Sequence, residues 1–211
     1  MLSLHQIQSL FRSGRRDQLV TALTVNGLPL PMPLQIKLAG SPAAAIALGL
    51  RRLSELTYGP TPVGRAMLQA LLARQQEDGS FDGDALATAA ALAAINQLER
   101  DQHGIIAPKL LSDIRDHAMD WLASQQQADG LIASSADRSD EDRALSSAFI
   151  LFMLDRDELF RSTIRYADLL DWFECDQRQL APEVARLWQL AQARRQMAAR
   201  IRHRVQRTLA A

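Results

Sequence analysis

Apolar residues at Met67, Leu68, Leu71 and Leu72, and again at Ile114, Ala118, Trp121 and Leu122, recur at the i, i+3, i+4, i+7 spacing of a helix that buries one face. Each run predicts a half-exposed amphipathic helix. Segments 85–95 and 144–154 are apolar almost all round, which predicts helices buried on every side. The alternation of the two kinds predicts an inner layer of helices wrapped by an outer one. Segment 42–56 reads as a further inner helix, with 16–25, ending at Asn26-Gly27, as its outer partner. Between them Pro29, Pro31 and Pro33 predict an extended run, because proline lacks the N–H that a helix or central strand requires. Segments 159–173 and 182–208 make the last pair, giving four antiparallel helical hairpins at approximately 16–57, 63–98, 112–154 and 159–208.

The hairpins share a corner. Gln75-x-x-Asp78-Gly79-x-Phe81 recurs 51 residues later as Gln126-x-x-Asp129-Gly130-x-Ile132, and Gln177 falls another 51 residues on. Asp120-Trp121-Leu122 maps onto Asp171-Trp172-Phe173 at the same offset, so Trp121 and Trp172 read as equivalent core anchors. The third copy has lost its Asp-Gly. Glycine in the left-handed region is expected to close the first helix of each pair, and Asp84 or Asp142 to cap the start of the second.

Composition narrows the function. The 211 residues carry 24 basic and 24 acidic side chains, 47% apolar residues and one cysteine, Cys175, which excludes an internal disulfide and a multi-cysteine zinc site. Cys175 itself reads as a half-buried small residue. The N-terminal residues lack a secretory pattern and the longest apolar run is far short of a membrane span, so the expected compartment is the cytoplasm. Lys37 and Lys109 are the only lysines and neither sits in a phosphate-binding loop. Zero net charge conceals a dipole: residues 1–183 hold 17 basic and 24 acidic side chains, whereas 184–211 hold seven arginines and no acid.

The Q-x-x-D-G-x-[WF] corner, followed by Asp84-x-x-x-Thr88-Ala89-x-x-Leu92, resembles the repeat of the α/α-toroid superfamily, which includes terpenoid (squalene-type) cyclases and protein prenyltransferase β subunits. The resemblance runs over about half the chain and implies an all-α fold in which hairpins form a partial α/α toroid. The superfamily's reactive motifs do not carry across. Its acidic D-x-D-D has as nearest counterpart Asp140-Glu141-Asp142, preceded by Asp137. Its D-D-x-x-D does not occur. Its zinc-binding Asp-x-Cys has Phe173 where the aspartate belongs, before Cys175, and His203 lies in an arginine-rich helix.

Two acidic turns are expected at one end of the stack, with Asp82 and Asp84 in the first and Asp137, Asp140 and Asp142 in the second. Such carboxylates either cap helices or hold Mg²⁺ or Ca²⁺. His117 suits a surface ion pair with Asp113 or Asp120. The C-terminal helix over 184–211 presents Arg194, Arg195 and Arg202 beside an apolar stripe, and packs on the repeats, meets a protein partner, or meets a nucleic acid or an anionic membrane surface.

The function expected is that of a non-catalytic helical-repeat binding or scaffold protein, needing no cofactor, whose concave inner face and acidic loop pole receive a protein partner or a second copy. The alternative is a small cyclase- or prenyltransferase-like enzyme or carrier for an isoprenoid or lipid. In it Asp137, Asp140 and Asp142 are the reactive acids, Asp82 and Asp84 the candidate metal ligands, and Phe149 and Phe152 line an apolar site.

Overall fold

The computed structural model describes residues 4–13, 15, 24–25, 28–100, 108–175 and 179–209. Among them the chain is all-helical but for one two-residue strand pair. The helices are α1 (Leu4–Arg12), α2 (Met32–Gly40), α3 (Pro42–Glu55), α4 (Pro62–Leu72), α5 (Ala85–Arg100), α6 (Pro108–Ser124), α7 (Asp140–Leu154), α8 (Glu158–Thr163), α9 (Tyr166–Glu174) and α10 (Pro182–Leu209). Strand β1 (Thr24–Val25) pairs antiparallel with β2 (Leu28–Pro29). No helix among the described residues is long and apolar enough to cross a membrane.

Hydrophobic burial orders the stack. Helix α5 buries every residue from Ala85 to Asn96 and also Leu98, and α7 buries every residue from Ala144 to Leu154. The small alanine side chains of α3 and α5 let the two backbones approach closely. Helices α3, α5, α7 and α10 pack successively against one another, while α1, α2 and α4 contact α3, and α6 contacts α5. In α10, Val184, Leu187, Trp188 and Ala191 are buried, and Met197 is exposed.

Starts and stops follow local chemistry. Ser41 and Thr61 accept the N–H groups of Ala44 and Gly64 ahead of α3 and α4, each with proline at the first helical position. Asp84 caps α5 through the Ala87 N–H at 3.0 Å. The cap of α7 is Ser139, which accepts the Asp142 N–H at 3.1 Å, so Asp142 lies inside the first turn and not at the cap. There its negative charge complements the helix dipole.

Several sequence expectations are corrected. Of the helix expected over 16–25, residues 16–23 lie outside the described residues, and Thr24–Val25 is strand, in keeping with its β-branched residues. Pro33 lies within the first turn of α2, where a missing N–H leaves no hydrogen bond unmade. The helix expected over 159–173 is two helices. Arg165, between them, donates its backbone N–H to Gln126 Oε1 in place of a helical partner, and its carbonyl accepts from Gln126 Nε2 as well as from the Leu169 N–H of the second helix. Trp121 and Trp172 are half-buried at the edge of the core. Cys175 is exposed. Gly79 and Gly130 do not end a helix, because α4 and α6 stop at Leu72 and Ser124.

Instead each glycine completes a tight turn, and the two turns have the same wiring. Gln75 bridges Phe81 as Gln126 bridges Ile132. Both glycines have φ of +91°, and their N–H groups donate to Gln76 O and Gln127 O, each at 3.0 Å. Asp78 Oδ1 and Asp129 Oδ1 accept the N–H two residues on, from Ser80 and Leu131. The N–H groups of the buried Phe81 and Ile132 donate to hydroxyls of the following helix, Thr88 Oγ1 at 3.0 Å and Ser147 Oγ at 2.8 Å. Gln177 lies outside the described residues.

Candidate functional site

The N-terminal ends of α3, α5 and α7 meet at one pole, and the candidate acids gather there. Three helix N-termini side by side carry partial positive charges that favour carboxylates. Asp82, held at φ 54°, accepts the Ser41 hydroxyl at 2.7 Å and the Ala43 N–H at 2.8 Å through one oxygen, and Arg74 at 3.1 Å through the other. Asp84 accepts the Ala87 N–H on Oδ1 and the hydroxyls of Ser134 and Ser135 on Oδ2, which ties the α5 cap to the loop preceding α7.

Lys37, from α2, is the centre of the second group. Its ammonium lies 2.7 Å from Asp137 and 2.9 Å from Asp142. Asp137, with its side chain 2% exposed, also accepts the Ser146 hydroxyl and the Ser134 N–H. Burial pulls the Lys37 ammonium down, but hydrogen bonds to Asp137 and Asp142 outweigh it and hold its pKa above the ordinary 10.5. The Lys37 hydrogen bond holds Asp142 below the usual aspartate value. Burial raises the Asp82 carboxyl, and the Ala43 N–H, Ser41 hydroxyl and Arg74 together bring it below that value.

Asp82, Asp84, Asp137 and Asp142 are thus committed to caps and an ion-pair network. Among the described residues no group of three or more His, Cys, Asp and Glu side chains is placed to hold a metal ion. Asp140 is separate from them. Its side chain is 87% exposed and pairs with Arg143, which also reaches Asp129. Together with Glu141, Asp140 lines an open cleft of about 550 Å³ between α7, α9 and the start of α10, walled by Trp172, Leu180, Ala181 and Val184.

Other expected site residues lie elsewhere. Phe149 and Phe152 are buried in the core at 0% and 3% exposure, and the Arg194 guanidinium stacks 4.6 Å from the Phe152 ring centroid. Filling the space between helices takes these rings away from any opening. Arg195 pairs with Glu174 at 3.2 Å and lies over Trp188. The Arg202 side chain lies outside the described residues. His117 is exposed on α6. Lys37, Ser41 and Ser134, which organise the acidic pole, carry no recognisable motif. The rarity of lysine is the one sequence signal that singles out Lys37.

No protein-family model, curated protein or solved structure matches the chain.

Proposed function

We propose that the chain is a non-catalytic binding module, a partial α/α toroid of helical hairpins related to the repeat it resembles, and that the cleft beside Asp140 and Glu141 receives a protein partner. Support for the hairpin arrangement comes from the two corners with one hydrogen-bond pattern and from successive packing of α3, α5 and α7. The observation that carries the binding reading is the division of the acids. Asp82, Asp84, Asp137 and Asp142 spend their oxygens on caps, hydroxyls, Arg74 and Lys37, while Asp140 and Glu141 face solvent at the rim of a half-apolar cleft. Exposed carboxylates beside Trp172 and Leu180 suit a segment that presents lysine or arginine next to an apolar side chain. The enzyme reading needs Asp137, Asp140 and Asp142 to converge on one substrate atom, and the salt bridges of Asp137 and Asp142 to Lys37 oppose that.

Affinity capture with matched baits tests the proposal. A protein recovered by the wild-type chain and lost with Asp140→Lys/Glu141→Lys is expected. Equal recovery by both baits, or none by either, contradicts it.

A further inference from the structure

The opposite pole, where α3, α5 and α7 end, has inverse chemistry. Each buried helix brings arginine to its C-terminal end: Arg51 and Arg52 in α3, Arg100 in α5, and Arg156 just after α7. Basic residues there complement the helix dipole, but these four are joined by a fifth. Arg194 comes across from α10, donates to Phe152 O at 2.5 Å, and is fixed by the Phe152 ring beneath it. Among the described residues, Arg51, Arg100, Arg156 and Arg194 line one space of about 390 Å³ with Gln97, Met197 and one carboxylate, Glu55.

Basic groups outnumber acidic ones here among the described residues. Glu55 pairs with Arg52 at 2.8 Å and with Arg51 at 3.7 Å. Asp155, behind the wall, is buried and accepts the Tyr166 hydroxyl. Among the described residues, two carboxylates and three helix ends worth roughly −0.5 charge each stand against five guanidinium groups. The effect registers on Arg194: burial, then Arg51, Arg156 and Arg100, push its pKa down to about 10. Arg51 is lowered as well, first by burial and, among its neighbouring cations, most by Arg100, although Glu55 opposes the shift. An anion in the space would relieve this repulsion.

We propose that this pole is a binding pocket for a small phosphate-bearing anion, gripped by Arg51, Arg100, Arg156 and Arg194. The volume selects a small molecule, since ligand pockets run to about 300–1,000 Å³ and a nucleic acid or membrane would need an extended basic surface. Arginines from four separate segments, α3, α5, the turn after α7 and α10, line the same space. That suits a tetrahedral oxyanion better than a planar carboxylate met in one plane.

Calorimetric titration of the full chain at constant ionic strength with inorganic phosphate, tripolyphosphate and citrate provides the test. Saturable binding is expected, with tripolyphosphate tighter than phosphate by tenfold or more and citrate weaker than tripolyphosphate. Arg100→Gln and Arg156→Gln change exposed side chains that the core does not need, and each should weaken tripolyphosphate at least fivefold. Asp140→Lys/Glu141→Lys at the other pole should leave it unchanged, so this pocket and the acidic cleft stand or fall separately. Absence of saturable heat with either phosphate probe, equal affinity in the two arginine variants, or tighter binding of citrate overturns the proposal.

Discussion

The side-chain amide of Gln75 donates to the main-chain carbonyl of Ile114 at 3.0 Å, and Gln126 repeats that bond to Arg165 O at the same distance and the same separation of 39 residues. Each glutamine also reaches back within its own corner, to Gly79 O or Gly130 O. One side chain therefore closes a turn and fastens it to a later segment of the chain. Gln75→Ala should cost about 1–3 kcal/mol, because two carbonyls in part-buried positions lose their donor, and Gln126→Ala somewhat less, because its bond to Arg165 O is exposed. Gln126→Ala should in addition raise hydrogen exchange in α9, since Arg165 N–H also depends on Gln126 Oε1. Urea denaturation and amide exchange measure these.

Glycine is required at the corners for two reasons that can be separated. At Gly79 a Cβ would stand 2.4 Å from His117 O, and at Gly130 it would stand 2.7 Å from Asp168 O, both against backbone, and φ is +91° at each. At Gly83, φ is +65° but the nearest atoms are 3.8 Å away on the flexible Gln76 side chain. Gly83→Ala should cost about 1–2 kcal/mol, the strain of the left-handed region alone. Gly79→Ala and Gly130→Ala should each cost more than that, by similar amounts, read as the shift in denaturation midpoint.

Thr88 supplies an acceptor to a buried N–H. Its hydroxyl takes the Phe81 N–H and donates to Asp84 O. Thr88→Val keeps the shape and orphans that N–H, at about 1–3 kcal/mol, whereas Thr88→Ser should retain most of the stability. Ser147→Ala should show a loss of the same order at the second corner, where Ile132 N–H has the corresponding bond.

Acid and alkali act on opposite ends of one ion pair. Asp142 has a folded pKa below the ordinary 3.8, so its stabilisation is complete above that value and is lost as pH falls through the lower folded value. Lys37 has a folded pKa above 10.5, so its stabilisation is complete below that value and is lost as pH rises through the higher folded one. Asp82 and Asp78 add to the acid limb, Asp78 being lowered by the Ser80 hydroxyl. Tyr166, raised by burial and Asp155 from 10.0 to about 12, adds to the alkaline limb over that interval. The stability gap between wild type and Lys37→Gln should be widest between about pH 5 and 9 and narrow at both extremes, as followed by denaturation midpoints.

Much of the fold was legible in the sequence because it rests on local signals. Periodicity placed α4, α5, α6 and α7, and the serine, threonine and proline starts of α3 and α4 are sequence-local. The break between α8 and α9 was not legible, since its cause, Gln126, lies 39 residues upstream of Arg165. The Asp-Gly corners are visible as a repeat, but their role as tight turns is not, because a left-handed glycine serves a helix terminus equally well. At the acidic pole the aspartates stood out. Their partners Lys37, Ser41 and Ser134 did not, because α2 and the loop before α7 meet them only in three dimensions. The arginine pole was hidden for a related reason: Arg51, Arg100 and Arg156 belong to three separate helix ends, which only packing unites.

The equivalence of the two corners, on which the repeat reading depends, is tested most directly by nuclear Overhauser contacts across them. Cross-peaks from the Gly79 Hα protons to His117 and from the Gly130 Hα protons to Asp168 are expected together, since each glycine lies against the backbone of its helix. A cross-peak at one corner without its counterpart, or at neither, contradicts the repeat.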